Sequence, residues 1–326
     1  MHAPDRPDLS CVIPLFNEAE SLPELHAWIR RALAGRSFEV VYVDDGSKDG
    51  SWAEIERLHA AYGEEVVGIR FARNYGKSAA LQTGFTRAQG RIVVTLDADL
   101  QDSPDEILNL ERRILAEDLD LISGWKQKRH DPLSKTLPTK LYNWATRKVS
   151  GIPLHDFNCG IKAYRSEVVK AIEVQGEMHR YIPILAKNAG FSRIGEQVVA
   201  HRARKFGTSK FGMERFLNGF LDLLTIAFMS RFARKPMHLF GALGLAMFFL
   251  SFIGVGALVL NKGLSMWAGD PGRNITEIST FYISLTGMVL GGLFFATGFL
   301  AEMISRTDAR RTAYLVSETL GGITGE

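Results

Sequence analysis

Short apolar runs alternate with amphipathic segments through the first two-thirds of the chain. Leu9–Ile13, Phe38–Val43, Val66–Phe71, Arg91–Leu96 and Leu119–Gly124 are brief, rich in Val, Ile and Leu, and bounded by turn residues, so they predict buried strands. Between them, Ala19–Ala34, Ser51–Tyr62 and Gly76–Ala88 carry helical spacing. Ser51, with Glu54 three positions on, predicts a capping box. Asp102-Ser103-Pro104 predicts the cap and first turn of a helix reaching Glu117. Beyond Gly124 the pattern loosens, with a helix expected over Tyr142–Val149, another from about Glu167, and a strand over Phe191–Ala200. Strands alternating with helices predict an α/β fold: a mostly parallel sheet with helices on both faces.

The pattern then changes character. Glu214–Phe232 is rich in Phe, Leu and Ile and predicts an interfacial helix at a membrane surface. Met237–Leu260 holds no charged residue, and Ile278–Met303 holds only Glu302. Each is about the 20 residues a helix needs to cross a bilayer. Arg231, Arg234 and Lys235 precede the first run, and Arg306, Arg310 and Arg311 follow the second, while the loop between carries only Lys262 and Arg273. The positive-inside rule then puts both ends in the cytoplasm and makes this a two-span protein of the inner or cell membrane. The expected division is a cytoplasmic α/β domain over 1–211, an interfacial segment over 212–235, a two-helix anchor over 236–304 and a cytoplasmic tail over 305–326. The sequon Asn274-Ile275-Thr276, close to the bilayer, reads as chance.

Composition narrows the classes. The 326 residues allow one large domain plus an appendage, and a net charge of +3 gives no basic surface for nucleic acid. The two cysteines, Cys11 and Cys159, sit in no CxxC or Cys/His pattern, so neither zinc nor a disulfide framework is expected. Met1–Asp8 is polar and proline-rich and predicts no signal peptide.

The candidate chemistry gathers at the ends of the predicted strands, where open α/β sheets bind ligands. Asp97 and Asp99, with Gln101 two further on, suit a hard divalent cation, Mg²⁺ or Mn²⁺, shared with phosphates. Glu18, Asp44 and Asp45 add carboxylates. No Walker A pattern is present and no GxGxxG follows the first strand, which disfavours a P-loop ATPase or a Rossmann dehydrogenase. Carboxylates repel a pyrophosphate unless a metal intervenes, but they accept hydrogen bonds from a base N–H and from ribose hydroxyls. A nucleotide sugar offers all three parts. Lys126, Arg204 and Lys210 are candidates to hold the remaining phosphate charge. A solvated surface charge is the competing reading, and for Lys126 on its own it is the preferred one.

The runs PLFNEAESL, VDDGS, NYGKSAALQTGF, LDADLQD and RKFGTSKF resemble those of family-2 glycosyltransferases. The likeness is greatest to the polyprenyl-phosphate branch, which includes dolichol-phosphate mannose synthase, and it covers about Leu9–Phe211. It implies a GT-A fold, a nucleotide-sugar donor, a divalent metal and inversion at the anomeric carbon. Carried over position by position, it implies that Pro14, Phe16 and Glu18 line the nucleoside pocket, with Asp45 on the base or ribose and Ala98 beside the donor. It puts Asp97 near the ribose or sugar, counted with the metal site, and Asp99 and Gln101 on the metal. Arg204 and Lys210 would contact the donor diphosphate. Lys126 and Lys135 match positions where mannose synthases often have arginine and would meet the acceptor phosphate with weaker bidentate geometry. Asp156 matches an acceptor-region aspartate; its alternative is a turn-forming Asx residue.

The implied partners are a nucleotide sugar, a polyprenyl phosphate such as undecaprenyl or dolichyl phosphate, and the membrane; the resemblance leaves a homo-oligomer open. The competing readings are a glycosyltransferase with another acceptor and a non-catalytic nucleotide-sugar-binding scaffold. A processive polysaccharide synthase is disfavoured because no glutamine begins a Gln-x-x-Arg-Trp motif. The sugar and the base of the donor are not legible.

Overall fold

A computed structural model describes residues 6–127, 133–200, 202, 228, 236–269, 273–307 and 316–320; the side chains of 133–141, 305–307 and 316–320 are outside that description. The chain forms two compact units, Met1–Ala227 with Thr312–Glu326, and Phe228–Arg311.

The first unit is built on a sheet of β1 (Leu9–Leu15), β2 (Phe38–Asp44), β3 (Val66–Phe71), β4 (Ile92–Thr95), β5 (Leu121–Trp125), β6 (Lys162–Arg165), β7 (Ile194–Val198) and β8 (Val316–Leu320). Their spatial order is β7-β5-β6-β4-β1-β2-β3-β8. The strands run parallel except β6, which is antiparallel to β4 and β5, and β8, which is antiparallel to β3. Among the described residues the helices of this unit are α1 (Leu22–Ala32), α2 (Ser51–Tyr62), α3 (Lys77–Arg87), α4 (Ile107–Ala116), α5 (Leu133–Ser150), α6 (Ser166–Ala171) and α7 (Ile182–Asn188).

Every residue of β1 is buried, as a central parallel strand requires. Successive side chains point to opposite faces, and the core divides accordingly. Ile13, Val40 and Tyr42 pack with Leu25, Ile29, Ile55 and Ile114 on one face. Val12, Val41 and Val43 pack with Ala80, Phe85 and Tyr164 on the other.

Several local expectations are corrected. Ser51 is the first helical residue, not the cap. Gly50 takes the cap position without a side-chain bond. The Ser51 hydroxyl donates to Asp49 Oδ1 at 2.6 Å and accepts the Glu18 N–H at 2.9 Å, while Glu54 pairs with Arg57. Asp102 does not cap a helix. Ser103 occupies the cap of a single 3-10 turn, Pro104–Glu106, which runs into α4. β6, α7 and β8 were not expected, and α5 is longer than predicted, at Leu133–Ser150. The tail thus returns a strand to the outer edge of β3. The interfacial helix expected over Glu214–Phe232 falls, apart from residue 228, outside the described residues.

The second unit is a hairpin of α8 (Pro236–Trp267) and α9 (Ser279–Thr307), both long and apolar enough to cross a membrane, with most of their apolar side chains exposed. Small residues bring their backbones together. A side-chain carbon at Gly244 would stand 2.6 Å from the Gly291 carbonyl oxygen, and one at Gly291 would stand 2.7 Å from that of Gly244. Gly254 meets Ser284, and Gly287 meets Ser251, along the same seam. Close backbone approach is how apolar helices associate where burial from water supplies no drive.

Candidate active site

The rim is formed by the C-terminal ends of β1, β2 and β4 and the start of antiparallel β6. The loop after β1 is tied to the loop after β2. Asn17, in the left-handed conformation at φ 56, donates its N–H to the Ser47 hydroxyl at 2.8 Å and accepts the Lys48 N–H on its amide oxygen at 2.9 Å. Asp44, fully buried, accepts the Ser47 N–H at 2.9 Å; burial pushes its pKa up. Pro14 lines the central pocket, and Phe16 and Glu18 sit half-buried on the same loop. Asp45 uses both carboxylate oxygens on backbone, taking the N–H of Tyr75 at 2.7 Å and of Gly76 at 2.9 Å. It organises the entry to α3, a duty that the sequence did not suggest.

That entry delivers Lys77, whose ammonium donates to Asp97 Oδ1 at 2.5 Å. Burial disfavours the charged form of Asp97, but Lys77 and Lys126 outweigh it and hold the carboxyl at about 2. Ala98 and Asp99 are buried, and Asp99 Oδ1 accepts the Gln101 N–H at 3.2 Å around Leu100, another left-handed residue at φ 61. The Gln101 amide nitrogen reaches the Arg202 carbonyl at 3.4 Å.

Asp102, fully shielded from solvent, pairs with Lys126 at 2.7 Å; the lysine is 12% exposed. Burial raises the pKa of Asp102, and Lys126 opposes that rise. A side-chain carbon at Gly160 would stand 2.6 Å from Asp102 Oδ2 and 2.6 Å from Asp97 Oδ2, so both carboxylates close over one glycine. Asp156 is buried; its Oδ1 accepts the Asn158 N–H at 3.0 Å, the Asx-turn bond of the alternative reading, and its own N–H donates to Glu196 Oε1 at 3.0 Å. Beside it His155 stacks on Trp125, with ring centroids 4.2 Å apart.

The rim therefore gathers Pro14, Asp97, Asp99, Gln101 and Lys126 of the predicted set, with Asp156 on the loop leading to Gly160. Lys135 lies in α5 with its side chain undescribed, and Arg204 and Lys210 lie outside the described residues. Sequence reasoning missed Lys77, Asp102, Gly160, Lys162, His179 and Arg180. The signal for Lys77 was present: Gly-Lys at the start of a helix.

Asp99 and the Gln101 side chain offer hard oxygen donors, with Asp97 adjacent. Among the described residues no three His, Cys, Asp or Glu side chains form a metal site by themselves. Such a donor set fits Mg²⁺ or Mn²⁺, which is often held by one or two carboxylates with substrate phosphates completing the sphere.

A mostly parallel sheet with helices on both faces and an acidic strand rim is compatible with a GT-A glycosyltransferase, an architecture close to that of other nucleotide-binding α/β folds. The family model described as "Glycosyl transferase family 2" matches residues 10–173. The dodecaprenyl-phosphate galacturonate synthase of Rhizobium johnstonii is 35% identical over 94% of this chain and 90% of its own length. The undecaprenyl-phosphate 4-deoxy-4-formamido-L-arabinose transferase of Pseudomonas aeruginosa is 35% identical over 93% of this chain and 87% of its own. Among solved structures, the glucosyl-3-phosphoglycerate synthase of Mycobacterium tuberculosis, in complex with phosphoglyceric acid, shares the fold with a TM-score of 0.53 at 19% identity, covering 69% of this chain and 80% of that one. The chain belongs to glycosyl transferase family 2 and is a glycosyltransferase.

Proposed function

We propose that this glycosyltransferase moves a sugar from a nucleotide sugar to the phosphate of a membrane polyprenyl phosphate, with inversion at the anomeric carbon. The observation that carries the reading is the placing of the Asp97–Asp99 carboxylates and the buried Lys126–Asp102 pair on one rim. Both curated relatives are named for polyprenyl-phosphate acceptors; they differ in the sugar.

A lipid phosphate is already anionic near neutral pH and needs little general-base help, unlike a sugar hydroxyl. The tasks left to the protein are positioning and charge stabilisation. In one in-line step a phosphate oxygen forms its bond to the anomeric carbon, and the bond to the nucleoside diphosphate breaks. Pro14, Phe16 and Glu18 line the nucleoside side. Asp45 serves the base or ribose by holding the loop at Tyr75–Gly76. Lys77 holds Asp97 toward the sugar. Lys126 and Lys135 receive the acceptor phosphate, which competes with Asp102 for the Lys126 ammonium. Asp156 orients a sugar hydroxyl or a lysine. Arg204 and Lys210 take the donor diphosphate. A divalent cation held by Asp99 and Gln101, beside Asp97, would neutralise charge building on the leaving diphosphate.

The two apolar helices suit a substrate whose tail stays in the bilayer. Each CH₂ kept from water is worth about 0.8 kcal/mol, so the enzyme comes to the lipid. The excess of Arg and Lys outside the spans favours a cytoplasmic catalytic unit.

The test is organic-extractable label. The purified full chain in nanodiscs containing undecaprenyl phosphate, given Mn²⁺ and radiolabelled UDP- or GDP-sugars, moves label into the lipid phase. Nucleotide-sugar binding without lipid labelling would support the scaffold reading instead.

A further inference from the structure

The irregular loop over 156–160 carries the chain from Asp156 to Gly160, just ahead of β6. Side chains hold its backbone at both ends. At the start, Glu196 Oε1 accepts the Asp156 N–H at 3.0 Å, and the Asn143 amide oxygen accepts the Phe157 N–H at 3.3 Å. At the end, the Thr95 hydroxyl donates to the Gly160 carbonyl at 2.8 Å, and the Lys162 ammonium donates to the Cys159 carbonyl. Buried carbonyls need such partners. Here two consecutive ones find them in side chains of the sheet.

Thr95 and Lys162 are cross-strand partners at the end of β4 and the start of β6, so their side chains leave the sheet on one face. Both are buried. Thr95 closes β4 two residues before Asp97, and the Gly160 it holds lies against the Asp97 and Asp102 carboxylates. The strand end that presents Asp97 therefore grips the loop that presents Asp156. Lys162 breaks a local rule to take part. Among the described residues its ammonium meets a carbonyl and no carboxylate at ion-pair distance, and burial pushes its pKa down. Asp156 and Asp97 act on its charge only at longer range. A buried ammonium with a neutral partner is costly. Sequences break such rules chiefly at functional sites, and repay the cost elsewhere.

We propose that Thr95 and Lys162 are positioning residues for sugar transfer: together they clamp the carbonyls of Gly160 and Cys159 and so fix Asp156 relative to Asp97. Neither touches a substrate; both act through the loop. This rests on the reading above, in which Asp97 flanks the donor sugar and Asp156 orients a sugar hydroxyl or a lysine. The clamp sets the distance between those two carboxylates, which come from different strands and are otherwise free to shift with the loop.

Full-length protein in nanodiscs with undecaprenyl phosphate and Mn²⁺ is assayed with the radiolabelled UDP- and GDP-sugars of the transfer test. Thr95→Val keeps the side chain's outline and removes the donor. Its kcat per folded molecule falls about 10- to 100-fold, the scale of a displaced reacting group, while KM for the nucleotide sugar changes by less than about threefold. Thr95→Ser returns the hydroxyl and brings kcat to within about threefold of the unaltered chain. Lys162→Met, where it folds, shows the same split between kcat and KM. Asp156→Asn keeps the acceptor oxygen of the Asx turn. Combined with Thr95→Val, it costs less than the product of the two single losses by about threefold or more, because both act through one loop. A merely structural tie lowers the melting temperature of Thr95→Val but leaves its kcat per folded molecule within about threefold of the unaltered value. That result overturns the inference and leaves the polyprenyl-phosphate reading intact. So do losses that simply multiply in the double variant. An unaltered chain that moves none of these sugars to the lipid overturns both.

Discussion

The Lys126 ammonium meets Asp102 at 2.7 Å in a place where the aspartate is fully shielded and the lysine nearly so. Removing either partner leaves the other charge buried. Asp102→Ala is therefore expected to destabilise the catalytic unit by about 3–5 kcal/mol. Replacing both together, as Asp102→Leu with Lys126→Met, recovers most of that loss in a denaturant titration. The double variant loses acceptor affinity, since the ammonium has gone.

Gly160 carries the second prediction. A methyl group there would press on Asp97 and Asp102 at 2.6 Å each. Gly160→Ala is expected to keep the sheet, because Gly160 precedes β6, yet to lower kcat/KM by about 100-fold, the penalty for displacing a reacting group by roughly an ångström. Circular dichroism and steady-state kinetics on the same preparation check both halves.

These two sites mark how far the sequence could be read. The buried strands and their order of appearance were legible because parallel strands covered on both faces must be apolar throughout, and Val66–Phe71 and Ser51–Tyr62 stand where the pattern put them. β6 was not legible: Lys162-Ala-Tyr-Arg165 is short and its first residue is a buried cation, which contradicts the rule for a central strand. Asp102 was misread because Asp-Ser-Pro is a good local helix start, and only the fold brings Lys126 against it. Lys77 and Asp97 are neighbours only because α3 begins beside the end of β4. Local chemistry names donors and acceptors; the tertiary fold decides which of them share a charge.

Acid should weaken the fold through two histidines. His26, buried against Tyr42, is lowered to about 4 by burial, Arg30 and Arg57. His179 is lowered to about 3 by burial, Lys77 and Arg180. Both native pKa values lie below the unfolded value near 6.5, so the unfolded chain binds more protons as pH falls. Stability is full above about pH 6.5 and declines from there toward pH 4, by up to about 1.4 kcal/mol per pH unit for each histidine. Thermal unfolding of the full chain between pH 7.5 and 4.5 should show this slope, and His26→Gln should flatten it.

The helix hairpin depends on Gly244 and Gly291. Leucine at either position would force the backbones apart, since a single added carbon already stands 2.6–2.7 Å from the opposing carbonyl oxygen. Gly244→Leu is expected to increase the distance between spin labels placed at the exposed positions Phe249 and Leu293 and to leave nucleotide-sugar binding unchanged. Gly256→Leu, with nothing within 4 Å of its added carbon, is the control that changes neither.

The most direct measurement is transfer of labelled sugar from a nucleotide donor to undecaprenyl phosphate by Asp99→Ala beside the unaltered chain, across a Mn²⁺ titration. A fall of about 100-fold or more that high Mn²⁺ does not restore is expected, the scale of losing a group that stabilises transition-state charge. Transfer at the unaltered rate, in the variant and in the presence of a chelator, would contradict it.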